Sequence, residues 1–293
     1  MRRERIGTRD GDFIDLDWRD GPAGTPLVMV LHGLEGSARS HYVVELLNAV
    51  AAQGWRGAAL NFRSCSGEPN RLPRFYHSGD TADLDEVVRL LAAREPELRL
   101  GLIGVSLGGN VILKWLGERG EAVPEVLRGA VTISVPYDLA ACARVLDRGF
   151  RRAVYTANFM RTLRRKVREK AAALAPLIDV RAVGRARTFA AYDRLVTAPL
   201  HGFADEVDYW TRSSSGRYLG GIRRRALLIN AVDDPFVPPE TLPDAAGLPA
   251  GVEAIFTPHG GHAGFLEGPP WRLTSWAGRR AVAFLADLLA CPA

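Results

Sequence analysis

Cysteine, lysine and long apolar runs are all scarce in this 293-residue chain. Its three cysteines, Cys65, Cys142 and Cys291, stand at irregular spacing without any C-x-x-C pair, so neither a disulfide framework nor a zinc site is expected of them. Reduced thiols in a cytoplasmic protein are the expectation. Only Lys114, Lys166 and Lys170 supply lysine among 38 basic residues, and 33 acidic ones leave a formal net charge of +5. A charge that mild, with no zinc-finger, RNP or basic-zipper pattern, argues against a nucleic-acid partner. No apolar stretch reaches the roughly 20 residues of a membrane span, so no transmembrane helix is expected. The basic start MRRERIGTRDGDF leads into no apolar signal-peptide core, which argues against a secretory leader.

What is present is the composition of an ordinary globular protein, 47% hydrophobic and 24% charged. The length suits one large α/β domain carrying an insertion, or two small domains. The stretch Leu98–Leu116, LRLGLIGVSLGGNVILKWL, organises the rest. Leu100, Leu102, Ile103 and Val105 read as a buried strand, and Val111, Ile112, Trp115 and Leu116 recur at helical spacing. Between them Gly104-Val105-Ser106-Leu107-Gly108 is a G-x-S-x-G turn in strand-turn-helix context, the arrangement called a nucleophile elbow. A chain reversing around one residue leaves no room for flanking side chains. Ser106 is thereby exposed at the tip, with the Leu107 amide at the start of a helix beside it.

Other segments fall into alternation around this unit. Asp10-Gly11 marks a hairpin, followed by a strand containing Phe13, Ile14, Leu16 and Trp18. Pro26–Leu31 is a doubly buried strand running into the glycine-rich turn His32-Gly33-Leu34-Glu35-Gly36-Ser37, whose Leu34 amide is placed to serve as a second oxyanion donor. His32 reads as a residue that orients loop amides. Tyr42–Gln53 and Thr81–Arg94 read as helices, and Trp55–Asn61 as a strand before a long polar loop, Phe62–His77. Further strands are expected over Arg128–Val135, Arg225–Ala231 and Val252–Pro258, and a last helix over Ser275–Leu289. A doubly wound, mostly parallel sheet is the economical fold. Residues 1–135 and 225–293 form its core, and 136–224 a helical lid or cap. Within that insertion Phe150–Ala175 is helical and basic, carrying Arg161, Arg164, Arg165, Lys166, Arg168 and Lys170. A solvated outer face is the first reading of it, and peripheral contact with anionic lipid the second. Val196–Trp210 reads as aromatic-rich and irregular.

Three groups follow the ends of three expected strands, in the order Ser106, Asp233 or Asp234, His259 or His262. A serine hydroxyl is a poor nucleophile until a neutral imidazole removes its proton, and a carboxylate fixes the tautomer of that imidazole. Asp234 opens Asp-Pro-Phe-Val-Pro and keeps its carboxylate at the strand end, which favours it over Asp233 as the acid. His262 follows Gly260-Gly261, a loop free to bring it over the elbow, which favours it over His259. No carboxylate or thiol at ligand spacing accompanies the two histidines, so neither a metal nor another cofactor is called for. Cys65 and Cys142 read as small apolar groups. The need for a neutral imidazole predicts activity rising through about pH 6 to 7.

The blocks LHGLEGSARSHY, LNFRSCSGEPNRLPRFYHSGDTADL, GVSLGGNVILKWLGE, TAPLHGFADEVDYW, LLINAVDDPFVPPE and HGGHAGF together resemble the AB-hydrolase-4 family of the α/β-hydrolase superfamily. The resemblance implies an esterase, acylglycerol lipase or phospholipase with Ser106 as nucleophile, Asp234 as acid and His262 as base. It also implies Leu34 and Leu107 as backbone oxyanion donors. One departure is FRSCSG, where a glycine is expected at Ser64. The expected activity is hydrolysis of carboxylic esters with an apolar acyl group. A thioesterase, amidase or C–C hydrolase with the same triad is the alternative within enzymes, and a non-catalytic acyl- or protein-binding module the alternative outside them. A small ester or lipid is the expected substrate, and nothing in the sequence fixes the oligomeric state.

Overall fold

The apolar runs pair into one eight-stranded sheet in the computed structural model, which describes residues 1–269, 271 and 273–290. Cys291 lies outside the described residues. Arg2–Gly7 (β1) and Phe13–Arg19 (β2) form the expected hairpin, and Gly11 in its turn takes a φ of 85° that glycine adopts without steric cost. Then follow Leu27–Leu31 (β3), Arg56–Asn61 (β4), Leu100–Val105 (β5), Leu127–Ile133 (β6), Ala226–Ala231 (β7) and Val252–Thr257 (β8). Their spatial order is β1-β2-β4-β3-β5-β6-β7-β8, with β3 to β8 parallel and the first hairpin antiparallel at one edge.

Helices cover both faces of the sheet because its central strands, β3 to β7, are buried on both of their own, whereas the edge strands β1 and β8 are partly exposed. In β3, Leu27, Met29 and Leu31 join the core under Ala82–Arg94 (α2) and Leu107–Arg119 (α3), while Val28 and Val30 join that under His41–Ala51 (α1) and the C-terminal helix Trp276–Leu289. This two-residue alternation is the pleat expressed as sequence. From β3 the chain moves to one side to make β4, then crosses to the other side to make β5. Loops leaving the C-terminal ends of β3 and β5 therefore diverge and leave a crevice, the place where open α/β sheets bind ligands.

Between β6 and β7 the chain leaves the sheet for a helical excursion. It comprises Leu139–Leu146 (α4), capped by Asp138, then a basic helix Ala157–Glu169 entered through a π turn at Arg152–Thr156, and several shorter turns before Glu206–Ser213. Val196–Trp210 is not irregular as expected. A π turn over Asp193–Thr197 runs into Ala198–His201, Gly202 ends it at φ 71°, and the Asp205 side chain caps the next helix. Single turns give no 3.6-residue period to read, which is why the sequence hides them.

The basic helix also differs from a uniformly solvated face. Lys166 points inward to Glu35, and Lys170 donates to the carbonyls of Leu72 and Arg74 and to Asn70 Oδ1. Of the six cations only Arg161, Arg165 and Arg168 are exposed. A solvated stripe and an inward-facing one on a short helix differ by a few residues of phase, and charge alone does not distinguish them.

Candidate active site

The elbow is set by contacts too close for a side chain. A Cβ on Gly104 would stand 2.6 Å from the Gly109 nitrogen, and one on Gly108 2.4 Å from the Leu31 carbonyl oxygen. Both glycines are thus required by the packing of α3 against β3 and β5. Ser106 itself has φ 54° and ψ −118°, a conformation costing a non-glycine residue roughly 1–3 kcal/mol and maintained by its surroundings. Its nitrogen donates to Ile133 O at 2.8 Å and its carbonyl accepts from Asn110 at 3.0 Å.

Beyond β7 and β8 the chain brings the other groups to this serine. His262 Nε2 is 3.0 Å from Ser106 Oγ, and its Nδ1 lies 2.9 Å and 3.1 Å from the two oxygens of Asp234. Asp234, 6% exposed, also accepts from the amides of Phe236 and Val237. With Nδ1–H donating to the carboxylate, the lone pair of Nε2 faces the serine hydroxyl. Asp233 turns away and accepts the amides of Gly260 and Gly261, holding the loop that carries His262, while His259 lies exposed beside it at 3.2 Å. Of the paired candidates, Asp234 and His262 meet Ser106, and Asp233 and His259 do not.

Leu34 and Leu107 both line the cavity above Ser106. Neither of their amides has an acceptor among the described residues. A Cβ on Gly33 would stand 3.3 Å from that of Ser106, so the peptide joining Gly33 to Leu34 begins in contact with the elbow. His32 fixes this loop as expected: its Nδ1 lies 2.7 Å from Gly33 O and its Nε2 accepts from Phe62 N. Burial pushes the His32 pKa down to about 4, which keeps the ring neutral and in the tautomer that makes both bonds.

The cavity has a volume of about 380 Å³, within the range of small-molecule sites. Phe159, Leu163, Phe189, Tyr192 and Val196 from the excursion form an apolar wall. His77 and His201 also line it, ring centroids 4.4 Å apart, and burial keeps both neutral, lowering their pKa values to about 3 and about 2. Among the described residues no three His, Cys, Asp or Glu side chains are grouped to hold a metal ion.

Several supporting residues escape a reading by motif. Ser134, at φ 56°, accepts the Ala263 amide and so braces the histidine loop. Phe236 stacks on the His262 ring, with centroids 4.1 Å apart. Asn110, fully buried one turn after Ser106, binds Ser78 O, Ser213 O and Ser215 N, tying the elbow helix to the loop before α2 and to the excursion. An asparagine inside the apolar run GGNVIL is a readable signal, since a buried amide needs partners. Ser64, where a glycine was expected, does adopt a left-handed φ of 62°, and its hydroxyl is bound to Asn70. Residues with short polar side chains tolerate that region when locally hydrogen-bonded.

A parallel sheet bearing a strained serine between β5 and α3, with an aspartate and a histidine beyond later strands, defines an α/β hydrolase. The chain belongs to that family: the family model described as alpha/beta hydrolase fold matches residues 26–269. It is 37% identical over 294 residues to "Putative esterase YheT" of Escherichia coli K12, spanning 98% of this chain and 85% of that protein. It is 32% identical over 276 residues to the mouse protein named "Phospholipase ABHD3", spanning 91% and 67% respectively. Among solved structures, the esterase Pf2001 of Pyrococcus furiosus superposes with a TM-score of 0.63 at 19% identity, covering 98% of this chain and 91% of that one, a likeness of fold.

Proposed function

We propose that the protein is a serine ester hydrolase for substrates with an apolar acyl group, using Ser106 as nucleophile, His262 as general base and Asp234 as its orienting acid. The observation that carries this reading is the continuous relay Asp234–His262–Ser106 at the floor of an apolar cavity. Ser106 Oγ attacks the ester carbonyl as its proton passes to His262 Nε2, and the imidazolium is stabilised by Asp234. The amides of Leu34 and Leu107 receive the oxyanion, each donor contributing roughly 3 kcal/mol in systems where one has been removed. His262 then protonates the departing alcohol, and water activated by the same nitrogen releases the acid and restores Ser106.

In this reading residues 136–224 act as a lid over a cofactor-independent site. The names of the relatives, one an esterase and one a phospholipase, support an ester or lipid substrate. Exposed Phe150 and Val154, followed by Arg161, Arg165 and Arg168, favour meeting that substrate at an anionic lipid surface. The deciding experiment treats wild type and Ser106→Ala with a fluorophosphonate probe and a p-nitrophenyl ester. Labelling and turnover are expected of wild type and lost from the variant. Turnover surviving in Ser106→Ala would remove the proposed mechanism.

A further inference from the structure

The loop that carries Leu34 is held from outside the sheet. The Gly33 carbonyl accepts from His32 Nδ1–H at 2.7 Å and from Gly36 N at 3.0 Å. No cis peptide occurs among the described residues, so the Leu34 N–H of that same planar group points the opposite way. The next peptide is fixed differently. The Glu35 N–H donates to the Tyr76 hydroxyl at 2.7 Å, and that hydroxyl donates to Glu35 Oε1 at 3.0 Å. Lys166 Nζ, arriving from the basic helix, meets the same carboxylate oxygen at 2.6 Å. Glu35 itself sits at φ 56°, a left-handed conformation that a non-glycine residue keeps only when its neighbours impose it.

The pair is largely enclosed, with side-chain exposures of 12% for Lys166 and 7% for Glu35. Burying two charges costs about as much as their attraction returns, so such a pair is weak evidence for stability; its contribution lies in the geometry it imposes. Here the geometry is that of the backbone immediately after Leu34. We propose that Lys166, Glu35 and Tyr76 are positioning residues for the Leu34 oxyanion donor, so that the helical excursion sets the competence of the elbow as well as covering it. This inference rests on the ester-hydrolase reading with Leu34 as a donor. Lys166 fixes the carboxylate, the carboxylate orients the Tyr76 O–H, and the tyrosine oxygen receives the Glu35 N–H. A loosened donor weakens the hold on the tetrahedral oxyanion more than the hold on the ground-state ester, and its loss falls on kcat.

The test compares Lys166→Met, Lys166→Arg and Tyr76→Phe with wild type on a p-nitrophenyl butyrate series, alongside binding of butylboronic acid, which forms a tetrahedral adduct with the serine. Lys166→Met and Tyr76→Phe are expected to lower kcat about 10-fold with KM within 2-fold, and to weaken boronate binding by a similar factor. Lys166→Arg is expected to recover most of the kcat. Wild-type kcat in both deletions overturns the proposal, as does a loss carried equally by KM. Should Lys166→Met not fold, Tyr76→Phe, which removes one hydroxyl, decides alone. Turnover that survives Ser106→Ala removes the underlying hydrolase reading; a dead Ser106→Ala beside a fully active Tyr76→Phe and Lys166→Met removes the positioning inference only.

Discussion

Asp233 and Asp234 are sequence neighbours with opposite duties toward one loop: Asp234 binds the His262 ring at 2.9 Å, while Asp233 binds the Gly260 and Gly261 amides at 3.0 and 2.8 Å. Substituting each by asparagine separates these duties. An amide in place of Asp234 favours the wrong imidazole tautomer, and a fall in kcat of roughly 10⁴-fold is expected. Asp233→Asn keeps an acceptor oxygen for the two amides and leaves the ring's partner intact, so a loss of no more than about 10-fold is expected. Steady-state kinetics on one p-nitrophenyl ester suffice. A larger loss in Asp233→Asn than in Asp234→Asn would reverse the assignment of the acid.

His32 links loop geometry to pH. Its folded-state pKa, about 4, lies below the ordinary 6.5, so between those values the unfolded chain binds the additional proton. Stability contributed by neutral His32 is therefore complete above pH 6.5 and declines as pH falls toward 4. His32→Gln, which cannot take up that proton, should be less stable than wild type at pH 7.5, and the gap should narrow by about 2 kcal/mol at pH 5. Asp193, whose pKa burial raises to about 7, and the buried His77 and His201 titrate in both proteins and cancel from the difference. Urea unfolding at the two pH values measures it; a gap that widens on acidification contradicts the buried neutral ring.

The outward part of the basic helix makes a separate claim. Arg148, Arg151 and Arg152 are exposed beside Phe150 and Val154; Lys166 and Lys170 are engaged inside, so the basic helix itself adds Arg161, Arg165 and Arg168 to what a membrane would meet. At about 1 kcal/mol for each cation near an anionic surface, three arginines give weak, salt-sensitive association. Co-sedimentation with phosphatidylserine vesicles at low ionic strength is expected, together with its loss at 0.5 M salt and in the triple Arg→Gln variant. Equal sedimentation with neutral vesicles, or none with either, would end the lipid-surface reading.

The same helix marks where the sequence stops being legible. The elbow could be read because steric necessity leaves a local trace: Gly104 and Gly108 are dictated by backbone atoms 2.6 and 2.4 Å from where a Cβ would be. Strands such as β3 were legible because burial on both faces demands an unbroken apolar run. Ser134, Phe236 and the set of Lys166, Glu35 and Tyr76 were not. Their partners lie far off in sequence, 131 residues away for Lys166 and Glu35 and 129 for Ser134 and Ala263. No local pattern encodes such pairings. Ser64 is an intermediate case: the family resemblance alone set a glycine there, the left-handed φ of 62° accounts for it, and the Asn70 contact that lets serine meet that conformation left no trace in the sequence.

Leu163 links the helix to the acyl specificity proposed for the cavity. It lines the cavity beside Phe159, Phe189 and Val196 and packs in the excursion's own core, one turn before Val167. A tryptophan there would project its larger ring into the space proposed for the acyl chain while leaving Ser106, His262 and Asp234 untouched. If the ring displaces two methylenes of a long chain, about 1.6 kcal/mol of burial is lost, equivalent to roughly a 15-fold fall in kcat/KM. Leu163→Trp should thus hydrolyse p-nitrophenyl acetate within about 3-fold of wild type and the decanoate at least about 10-fold more slowly, with the break between them at an intermediate chain length. The readout is kcat/KM across the acetate-to-decanoate series. A parallel fall for acetate and decanoate would mean that Leu163 supports the site as a whole, and the apolar wall would then have to be assigned to something other than the acyl group.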